Sequence, residues 1–383
     1  MSSPTQSDPE LASRELYAAN ARLGKNEEFW RDHYEWLKEK GYQLRPRYHP
    51  GWTASWKGTN KSAILQEDFH SPLHPFLLDA VRIRDGKVVM LRRADPPSIS
   101  DELEIGRIFS SEPASSDPRN HCAPVYETLH LDHDPTPLPD RKLIVVMPFL
   151  VRWHVGFQTV GEVVDFCGQL FEGLQFIHSL NIAHNDVKAQ NIMMDWSPVY
   201  AHPPHYPSEE RRRDWKGSAS PRSRTRHPTK YYFIDYNLCK QFEPGSDITQ
   251  LPGYGGDQTV PEFLRDEMCN PFAVDVYCLG NVIRNKLLVG DKWDPPKNNL
   301  DFLNTLISEL THDDPEKRPT MDQVVSSFSE LRKTLSWWQL RQRVSDKNEH
   351  PIFRAVLTPT HYIRQMSYIV RQMPAIPDYR QSG

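Results

Sequence analysis

Glycine is scarce in this chain of 383 residues: there are 18, and none lies between Gly58 and Gly86. Over those residues the absence excludes a loop whose backbone N–H groups close tightly around an anion, since such loops need conformations that a side chain forbids. Cysteine is scarce too. The five (Cys122, Cys167, Cys239, Cys269 and Cys278) are odd in number, scattered, and show no C-x-x-C pair. That argues against a disulfide framework and against a zinc site. No run approaches the roughly 18 apolar residues of a membrane span, and the opening MSSPTQSDPE has no apolar signal core. Neither sign of charge dominates. Lys and Arg number 46 against 50 Asp and Glu, and a net charge of −4 is too small to draw the whole surface to nucleic acid or membrane. The expected location is a reducing one, cytoplasm or nucleus, with neither membrane nor nucleic acid as partner.

What the chain does have is proline, 33 in all, much of it in long connections. With 38% hydrophobic and 25% charged residues the composition is that of a globular protein, long enough for two lobes plus extensions. Residues 1 to about 12 are polar and expected to be disordered. From Ser13 to Lys40 a helical pattern carries Leu16, Leu23, Phe29, Trp30, Trp36 and Leu37, and Gly41 is a plausible stop. Leu78–Ile83 and Val88–Leu91 read as strands joined at Asp85-Gly86, a pair that tolerates the positive φ of a tight turn. A helix around Ser100–Phe109 follows, then strands at Val125–Leu129 and Leu143–Met147. Thr159–Leu180 has Val163, Phe166, Leu170, Leu174 and Ile177 at helical spacing and predicts a core helix. Strands first and helices later indicate an α+β chain in two lobes.

Residues 196–230 interrupt this order. They are rich in Pro, Ser and Arg, and Arg211 to Lys230 hold eight Lys or Arg against one Asp. A solvated, partly disordered surface insertion is preferred over a nucleic-acid or phospholipid patch.

Two segments carry chemistry. After the core helix comes Ile182-Ala183-His184-Asn185-Asp186-Val187-Lys188-Ala189-Gln190-Asn191; after the insertion, Tyr231-Tyr232-Phe233-Ile234-Asp235-Tyr236-Asn237 is an apolar strand ending in a carboxylate. In phosphoryl transfer a hydroxyl nucleophile needs a carboxylate to orient it and accept its proton, while Mg²⁺ needs hard oxygen ligands. Asp186 suits the first role; Asn191 and Asp235 suit the second. Lys188 is placed to neutralise charge on the transferring group.

Together the segments resemble the H-R-D-x-K-x-x-N catalytic loop and D-F-G motif of eukaryotic protein kinases. Val260-Pro261-Glu262 is similar to the A-P-E motif, Asp275-Val276-Tyr277-Cys278-Leu279-Gly280 to D-x-W-S-x-G, and Asp314-Pro315-Glu316-Lys317-Arg318-Pro319 to D-P-x-x-R-P, all in the family's order. The wider phrasing also resembles kinase-like families expanded in some fungi. The resemblance covers roughly residues 75–335 and implies a bilobal fold with a small β-rich N-lobe and a larger, mainly helical C-lobe. It implies ATP and Mg²⁺ as cofactors, a structural role for His184, a buried ion pair between Glu262 and Arg318, and an Asp275 that braces the catalytic loop. By the same resemblance Met147 stands at the gatekeeper place of a hinge that continues through Phe149.

The N-lobe departs from the pattern. Val89-Met90-Leu91-Arg92 stands where the family has V-A-I-K, so Arg92 replaces the phosphate-touching lysine, with Arg93 as the register alternative. Its implied partner is Glu102, or else Glu104. The glycine-rich loop is missing, Phe69–Pro75 stands in its place, and weak or unusual ATP binding is expected. In the C-lobe Asn185 replaces an arginine that in the family often pairs with a phosphorylated residue, which implies activity without that switch. Asn237 replaces the glycine of D-F-G, and asparagine tolerates the left-handed region next best.

The expected organisation is an extension with one helix at 1–45, an N-lobe at 46–150, a C-lobe at 151–335 holding the 196–230 insertion, and a tail at 336–383 packed through Trp337 and Trp338. His121, His130 and His133 read as loop histidines without metal spacing. The preferred function is a Ser/Thr-type protein kinase, monomeric, acting on a protein substrate whose identity the sequence does not disclose. A pseudokinase scaffold is the alternative, favoured by Arg92 and the lost glycine loop. A choline- or aminoglycoside-type small-molecule kinase ranks third, because such enzymes lack the three later motifs.

Overall fold

The turn at Asp85-Gly86 organises the N-terminal half. Gly86 adopts φ +69°, its N–H donates to Arg82 O at 2.8 Å, and two strands run back from it, β2 (Leu77–Arg82) and β3 (Val88–Ala94). The computed structural model describes residues 17–94, 99–132, 134–136, 141–153, 156–253 and 255–381. The polar start of the chain, the expected helix from Ser13 through Leu16, and His133 lie outside the described residues.

These two strands belong to a five-stranded antiparallel sheet, in the order β1-β2-β3-β5-β4, with β1 at Tyr42–Leu44, β4 at Glu127–His130 and β5 at Leu143–Pro148. Two short helices cover one face, α1 (Lys25–Asp32) and α2 (Tyr34–Glu39). The helical pattern expected to run unbroken to Lys40 is thus split at His33, where the backbone leaves helical geometry. Trp30, Tyr34 and Leu37 pack with Leu78, Ala80, Val89, Leu91, Ile144 and Val146 into one buried cluster. Successive strand residues face opposite ways, so Asp79, Met90 and Met147, partners across the strands, share the other face, as do Leu77, Arg92 and Val145.

A second group of elements builds on the core helix, here α4 (Val160–Ser179), preceded in the chain by α3 (Ser100–Ser110). Thr159 caps α4 by accepting from Glu162 N at 3.1 Å. Phe166 stacks on Trp153 at 4.4 Å and meets Tyr231 edge-on, and Phe171 meets Phe328 at 5.0 Å on α7 (Met321–Thr334). Between α4 and α7 lie α5 (Pro271–Ile283) and α6 (Asn304–Leu310), and the chain closes with α8 (Pro351–Val370).

The described residues form two compact units, one drawn from Met1–Pro97, Val125–Phe149 and His202–Ser220, the other from Ser98–Pro124, Leu150–Ala201 and Pro221–Gly383. Both mix strands and helices as the α+β expectation requires, but the boundaries differ from those at 45, 150 and 335. Residues 25–44 are not a separate extension, because α1, α2 and β1 complete the first unit's core. Helix α3 belongs to the second unit, where Phe109 meets Tyr236 at 5.1 Å. The tail is part of the second unit too: Val160 N donates to Gln342 O, and Arg341 donates to Gln365.

The basic insertion is not a solvated loop. Residues 204–212 form a hairpin in the first unit, Pro204–His205 paired with Ser208–Arg212, and Trp215 Nε1 donates to Leu65 O at 2.8 Å. Arg224, in the second unit, is 4% exposed and lies 4.4 Å over the Phe157 ring. Charge that reads as a solvated run is instead distributed into packed sites. Trp337 and Trp338, expected as packing anchors, are 42% and 60% exposed.

Two of the loop histidines are structural in other ways. His130 ends β4, and His121 is wholly buried, its Nδ1 2.9 Å from Tyr231 O. Burial, helped by the Lys230 charge, pushes the His121 pKa from 6.5 to about 3. The folded protein therefore holds this ring neutral where the unfolded chain takes up a proton, so its stability is complete above pH 6.5 and lost as pH falls toward 3. Urea denaturation from pH 7 to pH 4.5 should show that loss, and a His121→Gln variant should show a shallower slope. Equal slopes would remove His121 as the cause.

Candidate active site

The second unit places the catalytic-loop residues between the end of α4 and two short strand pairs. Strand β6 (Ile182–Ala183) leads into His184, and β7 (Ile192–Asp195) pairs antiparallel with β8 (Tyr231–Phe233), so Asp235 follows directly from a strand next to Asn191. Ile234 N donates to Asn191 O at 3.0 Å, which ties the two segments at the site itself.

Asp186 is 4% exposed and heavily hydrogen-bonded. Lys188 Nζ lies 2.5 Å and Asn191 Nδ2 2.8 Å from its Oδ2, while Gly256 N donates to Oδ1 at 2.6 Å. An ionised carboxylate has about four acceptor sites, so three donors fix its orientation and leave capacity for one further hydroxyl. Asn191 also donates to Asp186 O, which spends its amide nitrogen and leaves its carbonyl oxygen for another partner. Asp235 adopts φ +69° and ψ 72°, a left-handed conformation uncommon for any residue but glycine. No hydrogen bond from a described residue reaches its carboxylate. Backbone strain of this kind gathers at functional sites.

The left-handed residue is therefore Asp235. Asn237, for which that conformation is the expected use, sits inside a 3₁₀ turn (Tyr236–Leu238) instead. Tyr236 keeps an aromatic packing role and adds a hydroxyl that donates to Ala123 O and Phe233 O.

Asp275, fully buried on α5, accepts from His184 N at 2.7 Å and Asn185 N at 2.8 Å, with His178 Nε2 3.0 Å away. His184 is buried and its Nδ1 accepts from Asp186 N at 3.3 Å; burial lowers its pKa and keeps the ring neutral. Glu262 and Arg318 form a two-pronged buried pair, Nη1 to Oε1 at 2.8 Å and Nη2 to Oε2 at 2.6 Å.

Several partners of Asn185 and its neighbours went unnoticed in the sequence. Asn185 adopts φ +62°; its Nδ2 donates to Leu238 O at 3.0 Å, and its Oδ1 accepts from Gln250 Nε2 at 2.9 Å. Gln250 in turn exchanges both backbone hydrogen bonds with Cys269. Farther along, Asn281 Nδ2 donates to Asp257 Oδ2 at 2.6 Å. A Cβ on Gly255 (φ +103°) would come 2.3 Å from Asn185 O, so that position requires glycine, and one on Gly256 would come 2.6 Å from Lys188 Cδ and displace the lysine side chain. The Gly-Gly pair shortly before Val260-Pro261-Glu262 was a usable signal; the Asn185–Gln250 pairing had none.

In the first unit the two candidate arginines lie on opposite faces of the sheet. Arg93 stacks 4.7 Å over Phe29 on the helix-covered face, so Arg92, one residue earlier, is on the other face with Met90 and Met147. Phe149 is buried just past β5. Glu102 lies in the first turn of α3 and is half-buried, whereas Glu104 is exposed. Arg92 and Glu102 fall in different units.

Residues 45–76 connect β1 to β2 where the family has its glycine-rich loop, and they are folded rather than open. Asp68 accepts from Trp52 Nε1, Ser55 N and Ser55 Oγ, and the buried Arg47 bonds Glu27 and Asp68 O. Phe69 closes a 3₁₀ turn (Glu67–Phe69) in this module. Beside it, on the face of Met90, Asp79 is 0% exposed and lies 3.1 Å from Arg45 Nε and 2.8 Å from Arg213 Nε. Burial alone would raise the Asp79 pKa, but the two guanidinium groups hold it below its ordinary value.

No group of three or more His, Cys, Asp or Glu side chains converges on a metal position among the described residues. Mg²⁺ is commonly held by one or two carboxylates together with substrate phosphates. The open carbonyl of Asn191 and the free carboxylate of Asp235 fit that kind of site.

Comparison with known proteins agrees with the geometry. Residues 150–299 match the family model described as the protein kinase domain. A probable serine/threonine-protein kinase (ireA) of Dictyostelium discoideum is 23% identical over 187 residues, 44% of this chain and 16% of that protein. A Wee1-like protein kinase of Drosophila melanogaster is 27% identical over 173 residues, 41% of this chain and 28% of the relative. A probable cell division protein kinase of Encephalitozoon cuniculi is 31% identical over 58 residues, 14% and 22% respectively. The matched segment thus spans under a third of each relative's own length.

Gln250→Ala should release the segment around Asn185 without unfolding the unit. Hydrogen exchange at 250–257 and at Cys269 should quicken by roughly fivefold, the loss of about 1 kcal/mol that one buried hydrogen bond contributes. Unchanged exchange would show that the Asn185–Gln250 bond holds nothing in place.

Proposed function

We propose that this chain, whose residues 150–299 match the protein kinase domain, is an active protein kinase that transfers the γ-phosphate of ATP to a serine or threonine hydroxyl of a protein substrate. The observation that carries this reading is the Asp186 carboxylate, oriented by Lys188, Asn191 and Gly256 with one acceptor site to spare. A scaffold has no physical need for a general base held in this way, nor for a left-handed Asp235 beside it.

In this reading Asp186 orients the substrate hydroxyl and accepts its proton. Lys188 offsets negative charge that develops on the transferring group. Asn191 and Asp235 would hold Mg²⁺, which when bound neutralises phosphate charge and keeps the phosphates aligned. Within the first unit, Arg92 is the cation offered to the nucleotide. Its forked guanidinium differs in reach and geometry from the lysine it replaces, so nucleotide affinity is expected to be low. The Asn185–Gln250 bond stands where the family uses an arginine and a phosphorylated residue, and it orders the segment without added charge.

A pseudokinase is the second reading. It draws on the Asp79–Arg213 ion pair and on the folded 45–76 connection, which take up the sheet face and the loop that the family gives to nucleotide.

Thermal unfolding with and without millimolar ATP and Mg²⁺ separates the two readings. The kinase reading expects a metal-dependent rise that Asp235→Ala removes, and an Asp186→Asn variant that keeps the rise but loses turnover by a factor of about 10² or more. No rise in the wild type would favour the scaffold, and normal turnover by Asp186→Asn would remove Asp186 as the base.

A further inference from the structure

Helix α8 faces the wrong way for a helix that only completes a core. The residues it buries are His361, Gln365 and Tyr368, and His361 and Gln365 hydrogen-bond to Arg341. The side it exposes is apolar: Ile352, Val356, Ile363, Met366 and Val370 stand at spacings that keep them in one stripe, with Ile363 72% and Val370 80% exposed. Phe353, Leu357 and Tyr362 extend the apolar exposure to either side. An exposed patch of this extent marks an interaction surface.

Charge selects the occupant. Between Glu349 and Asp378 the chain has no acidic residue, while Arg354, Arg364 and Arg371 lie in that interval. Arg354 is 4.0 Å from Glu349, Arg364 lies 3.5 Å from His361 Nδ1, and Arg371 is exposed just past the helix. A second copy of the chain would bring the same cations and no acidic residue from this interval to meet them. It would also bury too little: a helix of 20 residues is about 30 Å long and 10 Å wide. Two such faces cover roughly 600 Å², about half the 1,200 Å² of a stable interface. The apolar band is also wider than the single seam that a partner helix buries.

We propose that α8 docks the protein on an anionic lipid surface, with the Ile352–Val370 stripe in the acyl boundary and Arg364 and Arg371, on the flank of the stripe, at the headgroups. The helix lies along the surface and does not cross it; no helix among the described residues is long and apolar enough to span a membrane. The sequence-level expectation of no membrane partner rests on net charge and on the lack of a span, and neither addresses a single exposed face. The proposal stands apart from the kinase reading, since none of its residues belongs to the candidate active site.

Flotation of the full chain with vesicles of phosphatidylcholine, with and without one-third phosphatidylserine, tests it. The wild type should float with the anionic vesicles and much less with the neutral ones. Ile363→Glu should weaken binding roughly tenfold or more, because it puts a charge where an apolar side chain enters the lipid. Arg371→Glu should reduce the preference for phosphatidylserine. Both variants should keep the wild-type unfolding midpoint, since both side chains are exposed. Failure of the wild type to float would overturn the proposal, as would equal flotation by Ile363→Glu. A dimer in light scattering that Ile363→Glu abolishes would assign the face to a second copy instead.

Discussion

The buried carboxylate of Asp275 is the interaction on which the candidate site depends. It accepts the backbone N–H groups of His184 and Asn185, two donors that a sharp loop turns away from any strand or helix partner. Left unpaired inside the unit, each would cost about 1–3 kcal/mol. With both satisfied, Asn185 can hold its left-handed backbone, and its side chain reaches Leu238 and Gln250. Asp186 then follows with its carboxylate turned toward Lys188, Asn191 and Gly256. One charge on α5 thus sets the backbone that aims the proposed base.

The first unit follows a different logic. Its ion pairs are buried and cross-linked: Arg47 with Glu27, Arg45 with Glu67 and Asp79, and Arg213 from the insertion with Asp79. Breaking one partner out of such a cluster is costly, so the cluster fixes one arrangement more than it adds stability. It also explains how a connection with no glycine after Gly58 is held in place: side chains and buried charge fix residues 45–76 where the family has a glycine-rich loop. The kinase-like motifs of the second unit and the unusual build of the first are the opposing facts that any functional account must join.

Much of this was legible in the sequence because it rests on local rules. The Asp85-Gly86 turn, the α4 periodicity and the motif order each depend on neighbours in the chain. Glu262 with Arg318, and Asp275 with the catalytic loop, were legible only through resemblance, since residues so distant in sequence leave no local trace. What stayed hidden depends on tertiary placement alone. Arg213 and Arg224 read as a solvated basic run, yet one pairs with Asp79 and the other lies over Phe157. The strand Tyr42–Leu44, just past the Gly41 stop, was too short to stand out as a strand, although its alternating burial matches the Y-Q-L pattern. The exposed face of α8 had the spacing of a core helix, and only the structure shows that its polar side is the one that docks.

The central claim is that Asn185, Gln250 and Asp275 hold a competent catalytic loop without phosphorylation. The most direct test is the rate of phosphate transfer from γ-labelled ATP to protein serine and threonine, using the full chain stripped of phosphate by a phosphatase. The account predicts transfer at the same rate before and after that treatment. Transfer that vanishes on dephosphorylation and returns with a phosphate on the 240–260 segment would contradict it.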